Sequence, residues 1–144
     1  MVNFDLAILG GGPGGYVAAI RGAQLGLKTC IIEKDKLGGI CLNWGCIPTK
    51  ALLKNAEVYN TIKNADKYGI KVDKIAVDFP ANIKRSRDVS NRLSKGIEFL
   101  MKKNEITHIY GMGKLTSKTT IETNNSKKKV KVNAKKIIIA TGAR

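Results

Sequence analysis

Hydrophobic and polar positions divide the chain into short blocks that switch between strand and helix patterns. Residues 4–9 are apolar except at Asp5 and run into glycine, which predicts a buried parallel strand. Residues 16–25 are alanine-rich and predict a helix closed by Gly26. Residues 28–32 predict a second apolar strand, with Cys30 inside it and Glu33 at its end. Residues 51–63 continue a helix whose Leu52, Leu53, Ala56, Tyr59 and Ile62 share one face. Residues 68–78 are mixed and predict an irregular or extended connection, broken at Phe79-Pro80.

Residues 81–104 predict a long helix with Ile83, Val89, Leu93, Ile97, Leu100 and Met101 as its apolar positions. Arg85, Arg87, Arg92, Lys95, Lys102 and Lys103 read as its solvated face. Residues 106–110 are strand-like, and Gly111-Met112-Gly113 reads as a turn. Residues 114–117, 120–123 and 129–133 predict a polar antiparallel meander, with turns at Ser117-Lys118 and Asn124-Asn125-Ser126. Lys127, Lys128, Lys129, Lys131, Lys135 and Lys136 make this the most basic region, and such a run near a hairpin tip is ordinarily solvated. Residues 136–140 predict a short buried strand that runs into Thr141-Gly142-Ala143-Arg144, so the C-terminus reads as a truncation point.

The first blocks carry chemistry. Gly10, Gly12 and Gly15 match G-x-G-x-x-G after a strand and at the opening of a helix, and Glu33 follows at the end of the next strand. Gly10 permits the tight turn, Gly12 lets backbone approach a pyrophosphate, and Gly15 lets the helix pack on the strand. The helix N-terminus offers N–H groups to the phosphates, and Glu33 offers a carboxylate to a ribose with a free 2′-OH. The fold class read from this is α/β: a Rossmann-like dinucleotide-binding sheet plus a small antiparallel meander.

Composition bounds the rest. The chain has 144 residues, 43% of them hydrophobic, with 15 glycines, enough for one domain with a real core. A net charge of +15 invites a nucleic-acid reading. The lysines are spread along the chain without interleaved aromatics, so a solvated basic surface is the preferred reading, able to attract an acidic partner. No signal peptide opens the chain, and no apolar run approaches the ~20 residues a membrane span needs. The expected compartment is therefore the cytoplasm. There a close cysteine pair points to catalysis or metal before structure. The metal reading is the weaker one, because the pair supplies only two ligands and His108 is remote in sequence.

Cys41 and Cys46 stand five positions apart with Trp44 between them and Lys50 four positions, one helical turn, after the second. A thiolate that trades electrons needs access and nearby positive charge, so the pair reads as a redox couple. The short spacing from Glu33 to Cys41 keeps the pair close to a cofactor held at Glu33. A flavin suits a dithiol partner better than a nicotinamide, since it can take electrons from a thiolate and stay bound.

The run Gly-Gly-Ile-Cys-Leu-Asn-Trp-Gly-Cys-Ile-Pro-Thr-Lys at 38–50, with Gly-Gly-Gly-Pro-Gly-Gly at 10–15 and Ile-Ala-Thr-Gly-Ala-Arg at 139–144, resembles the flavoprotein disulfide reductases over residues 4–144. Leu42 and Ile47 make it most similar to the dihydrolipoamide dehydrogenase branch rather than the glutathione or mercuric reductases. The resemblance implies a chain that is the N-terminal part of an FAD-binding domain, incomplete at its C-terminus, whose FAD passes electrons to NAD as co-substrate of the complete enzyme. It implies that Cys41 is the interchange thiol, Cys46 the thiol nearer the flavin, and Lys50 the cation beside the reduced ring. It implies that Gly10, Gly12, Pro13, Gly14, Gly15, Glu33, Lys34, Gly38, Gly39, Ile40, Cys41, Lys50, Gly113, Thr141, Gly142 and Ala143 line the FAD. Ile40 departs from the usual threonine, and Trp44 is expected to pack over the cysteine turn. The NAD-binding and dimer-interface domains would be absent, and His108 does not match the family's catalytic histidine. Implied partners of the complete homodimer are lipoyl domains of 2-oxoacid dehydrogenase or glycine-cleavage complexes, with no specific nucleic acid and no membrane. The location is cytoplasmic, or the mitochondrial matrix in a eukaryote, although no transit peptide is seen. The chain alone is expected to show little NAD-linked turnover.

Overall fold

A computed structural model describes residues 2–125 and 128–143. The turn expected through Ser126, together with Lys127 and Arg144, lies outside the described residues. The chain forms two compact units. One comprises the residues up to Gly39 and those from Ser94 onward, and the other is Ile40–Leu93.

The first unit is built on one six-stranded sheet. Its strands are β1 (Val2–Leu9), β2 (Thr29–Glu33), β3 (Thr107–Tyr110), β4 (Met112–Leu115), β5 (Thr120–Asn125) and β6 (Lys128–Ile139), in the order β3-β2-β1-β6-β5-β4. β1 pairs in parallel with β2 on one side and β6 on the other, and β2 pairs in parallel with β3. β5 joins β4 and β6 antiparallel. The helix α1 (Pro13–Gln24) crosses from β1 to the parallel β2 and packs on both. The core lies in the sheet: Phe4, Ala7, Leu9, Cys30, Ile32, Ile121, Val132 and Ala134 form one buried cluster. Asp5 ties β1 to the entry of β2 and to β6, accepting from the Lys28 backbone N–H at 2.9 Å and pairing with Lys135 Nζ at 2.7 Å. The expected α/β class, with a parallel sheet and an antiparallel meander, is what forms.

Several boundaries differ from the expected ones for physical reasons. α1 begins at Pro13 rather than residue 16, because proline's fixed φ and missing N–H suit the first helical position. Gly111-Met112-Gly113 is not a turn: Gly111 alone bends, at φ 149°, and β4 starts at Met112. Gly113 pairs with Thr123, and a Cβ there would press on Leu9 Cδ1 at 2.5 Å. The two strands expected at 129–133 and 136–140 are one strand, β6. Its first half pairs with β5 and its second half with β1. The predicted burial of 136–140 fails as well. Ile138 and Ile139 are 40% and 63% exposed, since α1 covers β1 and β2 instead.

The second unit holds most of the short helix α2 (Gly39–Asn43), then α3 (Cys46–Lys63), a 3-10 turn at Ala65–Tyr68, and the larger part of α4 (Phe79–Lys103). Residues 70–78 are irregular, as expected. α3 starts at Cys46, so residues 51–63 continue a helix that also carries Lys50, as expected. The apolar reading of α4 is corrected. Its buried stripe is Ser86, Ser90, Ser94, Ile97 and Met101, at spacings of four, four, three and four, while Leu93 and Leu100 are exposed. Ser86 Oγ donates to the Ile83 carbonyl and Ser94 Oγ to the Leu37 carbonyl, whereas the buried Ser90 Oγ finds no partner among the described residues. No helix among the described residues is long and apolar enough to cross a membrane.

The glycines of the first turn of α1 differ sharply in what surrounds them. A Cβ at Gly15 would fall on the Gly10 carbonyl oxygen, whereas one at Gly14 meets nothing within 4 Å. Gly15→Ala should cost about 2 kcal/mol through forced separation of helix and strand. Gly14→Ala should be neutral or stabilise by up to about 1 kcal/mol. Denaturant titrations of the two variants check this, and equal stabilities would contradict it.

Candidate functional site

The glycine loop is shaped by backbone contacts. Gly10 takes φ 108°, and its N–H donates to the Ile32 carbonyl at 2.9 Å. A Cβ at Gly10 would fall on the Ala140 carbonyl, with Thr141 Cα 2.9 Å away, so β1, β2 and the residues after β6 meet at that glycine. Gly12 is the N-cap of α1, with no side-chain cap and no acidic residue in the first turn. The first intrahelical bond runs from Tyr16 N–H to the Gly12 carbonyl at 2.9 Å. The N–H groups of Gly14 and Gly15 therefore have no acceptor within the helix. A Cβ on Gly12 would meet only Gly39 Cα, at 3.8 Å. Gly38, at φ 108°, donates its N–H to the Gly11 carbonyl at 2.8 Å, and Gly39, at φ 68°, lies against Gly12 and Pro13. An uncapped helix N-terminus with no acidic residue in its first turn, approached by bare backbone, is a fit for an anionic diphosphate.

Glu33 does two things. Its Oε2 accepts the Gly11 N–H at 2.7 Å and its Oε1 accepts the Asp35 N–H at 2.9 Å, so the carboxylate braces the glycine loop. A carboxylate has about four lone-pair sites, which leaves capacity for a hydroxyl pair. A cleft of about 140 Å³ is lined by Gly10, Glu33, Lys34, Gly113 and Thr141, and by Gly111 and Met112, which the sequence pattern alone assigns to a turn. Gly142 and Ala143 are exposed and are not among its walls. Among the expected cofactor residues of the first unit, the structure thus brings Gly10, Glu33, Lys34, Gly113 and Thr141 to one cleft. Gly12, Pro13, Gly38 and Gly39 meet at the adjoining helix start.

The second unit carries the sulfur chemistry. Cys41, in α2, and Cys46, the first residue of α3, are joined as a disulfide with Cα atoms 4.6 Å apart. Between the helices the Ile40 carbonyl accepts two N–H groups, from Trp44 at 2.8 Å and Gly45 at 2.7 Å. Gly45 N-caps α3 with no side-chain cap, and no acidic residue lies in that first turn. The N-terminus of an 18-residue helix therefore favours negative charge on Cys46 Sγ. Lys50 follows one turn along the same helix and is exposed. Cys46 is exposed and Cys41 half-buried, and Ile40 and Trp44 are 45% and 47% exposed, so Trp44 does not form a buried lid over the turn.

Two residues read as solvated are not idle. Arg85 Nη1 donates to the Ala51 carbonyl and to Asn55 Oδ1, both at 3.0 Å, and Arg87 Nη1 donates to the Asn43 carbonyl at 3.2 Å. Composition gave no signal for these bonds, which depend on how α4 lies in its unit. Cys30 is fully buried in β2, as expected, and burial pushes its thiol up to about 12. His108 sits on β3 opposite Ile31, and burial lowers its pKa. Among the described residues no three His, Cys, Asp or Glu side chains gather at a metal-binding distance.

A family model described as pyridine nucleotide-disulphide oxidoreductase matches residues 4–144. The chain belongs to that family. Among similar proteins, the dihydrolipoyl dehydrogenase of Zymomonas mobilis is 54% identical over 99% of this chain. The dihydrolipoyl dehydrogenases of Mycobacterium leprae and Bacillus subtilis are 47% and 44% identical over 100% and 99% of it. The chain spans 31%, 32% and 32% of those three proteins. The glycine turn and the cysteine pair both lie within the matched segment.

Glu33→Ala should cost about 2 kcal/mol, because it orphans two N–H donors that now face a carboxylate; denaturant melts measure it, and an unchanged midpoint would remove the brace. After mild reduction, iodoacetamide at pH 8 should label Cys41 and Cys46 but not Cys30. With its thiol raised to about 12, Cys30 holds about one part in ten thousand of thiolate at that pH. Mass spectrometry of the peptides reads the outcome, and labelling of folded Cys30 at a comparable rate would refute it.

Proposed function

We propose that this chain is the FAD- and disulfide-bearing N-terminal part of a dihydrolipoyl dehydrogenase. The observation that carries the reading is the Cys41–Cys46 disulfide at the start of α3, in a chain whose first strand-helix-strand unit ends in an uncapped glycine turn and Glu33. Residues 2–143 would form part of one FAD-binding domain. The helix start at Gly12 to Gly15 would face the pyrophosphate, Glu33 the ribose, and Gly10, Lys34, Gly113 and Thr141 the cleft beside it. Ile40, Cys41 and Lys50 would lie toward the flavin, and Gly142 and Ala143 would close over it. Bound FAD supplies a two-electron acceptor.

The thiol chemistry follows from the chain's own residues. A dihydrolipoyl thiolate attacks one sulfur of the Cys41–Cys46 bond and breaks it, giving a mixed disulfide and a thiolate. The second substrate thiol then displaces the protein sulfur, and the substrate leaves as a cyclic disulfide. Two electrons and two protons pass to the chain, which is left with two thiols. Exposure favours attack at Cys46, but leaving-group stability favours attack at Cys41, because the departing Cys46 thiolate sits at a helix N-terminus. Neither cysteine is buried, so the leaving group decides, and Cys41 is the interchange thiol. Lys50, one turn on, adds a positive charge to the same helix face. In the complete protein, acting as a homodimer in the cytoplasm, the dithiol donors would be lipoyl domains of 2-oxoacid dehydrogenase or glycine-cleavage complexes, and NAD would take the electrons.

Titration of the chain with FAD, followed by flavin fluorescence, tests the reading. Gly12→Ala should leave thermal stability unchanged, since its Cβ has room, yet weaken FAD binding about tenfold or more by blocking backbone approach to the pyrophosphate. Equal FAD affinity in the two proteins, or no FAD binding to the wild-type chain, would overturn the assignment.

A further inference from the structure

The disulfide closes a six-residue ring, from Cys41 to Cys46, and that ring must survive its own opening. A couple that cycles loses its covalent bond at each turnover. Without another constraint, residues of the ring gain conformational freedom in the dithiol state, and reclosure then carries an entropy cost. Among the described residues, two contacts besides that bond help to hold it. The Ile40 carbonyl accepts from Trp44 and Gly45, which ties the ring to the residue before it. Arg87, from α4, donates to the carbonyl of Asn43, near the middle of the ring. The second contact comes from an element remote in sequence, 44 residues on.

The bond has properties suited to a tether. Asn43 is buried, at 5% exposure, and is the last residue of α2, where helix carbonyls lack intrahelical donors. A guanidinium there complements the negative end of the helix. Arg87 does not act alone in fixing α4. Two positions earlier Arg85 binds the Ala51 carbonyl and Asn55 Oδ1, and Asn55 Nδ2 in turn donates to Asn82 Oδ1 at 3.1 Å. These bonds lock α4 to α3, whose first residue is Cys46, while Arg87 locks α4 to the ring beside Cys41. One helix therefore grips both arms of the disulfide.

We infer that Arg87 is a positioning residue for the Cys41–Cys46 couple, holding the opened ring in its closed geometry so that the two thiols stay poised to rejoin. The inference rests on the reading of this pair as a cycling couple. The direction of the effect follows from a simple cycle. The disulfide form is always closed and always makes the Arg87 bond. The dithiol form makes it only while closed. Removing Arg87 therefore weakens the disulfide form more than the dithiol form and shifts the equilibrium toward dithiol. If Arg87 acted instead as a charge that stabilises thiolate, its loss would shift the equilibrium the other way.

The experiment equilibrates the chain with mixtures of reduced and oxidised dithiothreitol. The reagent's two thiols break one protein S–S bond, pass two electrons and two protons, and leave as the cyclic disulfide. Arg87→Met should move the equilibrium toward dithiol by up to about tenfold, equal to about 30 mV for this two-electron couple. An unmoved equilibrium, or one moved toward disulfide, overturns the proposal while leaving the redox reading intact. A wild-type pair that reaches no equilibrium with the reagent overturns both. Trp44 is the single tryptophan and sits inside the ring, so the wild-type chain offers a check that needs no variant. Its rate of collisional quenching by acrylamide should be the same in oxidised and reduced protein. A marked rise on reduction shows a ring that opens despite Arg87, and that too overturns the proposal.

Discussion

Everything in the first unit depends on bare backbone meeting bare backbone at Gly10 and Gly15. The carbonyl of Gly10 occupies the volume a Gly15 side chain would need, and the Ala140 carbonyl occupies the volume a Gly10 side chain would need. Three elements are thereby brought together: the end of β1, the start of α1 and the residues after β6. Close packing at this level admits no adjustment by rotamer change, because no side chain is involved. The position of the uncapped helix start, of Glu33 and of the adjoining cleft all follow from it. A helix displaced outward by a methyl group would carry its N–H groups with it.

Much of this was legible in the sequence, because the information is local. A glycine that needs positive φ, a proline at a helix start and an acidic residue at a strand end announce themselves within a window of a few residues. Gly10, Glu33 and the strand pattern of β1 and β2 are of this kind. The cysteine pair was legible for the same reason, as spacing, although the helical state of Cys41 was not. What stayed hidden is tertiary. The serines of α4 look like surface residues until the helix is laid down and Ser86, Ser90 and Ser94 prove to be its buried stripe. Arg85 and Arg87 look like solvent-facing charge, and their carbonyl partners lie 34 and 44 residues away. Residues 136–140 read as buried because they are apolar, yet burial needs a covering layer, which no local pattern supplies.

The two chemical regions also differ in what secures them. The glycine turn is held by exclusion, in that nothing else fits. The cysteine ring is held by attraction, through a covalent bond, paired carbonyl contacts and a guanidinium. Exclusion suits a surface whose shape has to stay constant while an anion comes and goes. Attraction divided among several groups suits a ring in which one of the bonds is chemically temporary.

β6 carries a constraint of its own. A single strand pairs antiparallel with β5 over its first half and parallel with β1 over its second, with Val132 and Asn133 paired on both sides. It works as a ruler laid across two kinds of sheet. Side chains alternate faces along a strand, so inserting or deleting one residue within it would turn Val132 and Ala134 out of the core in one direction or unpair the meander in the other. Length variation among related chains should therefore collect between β5 and β6 and avoid the strand itself, leaving β6 the least elastic stretch of the meander although it is also the most charged.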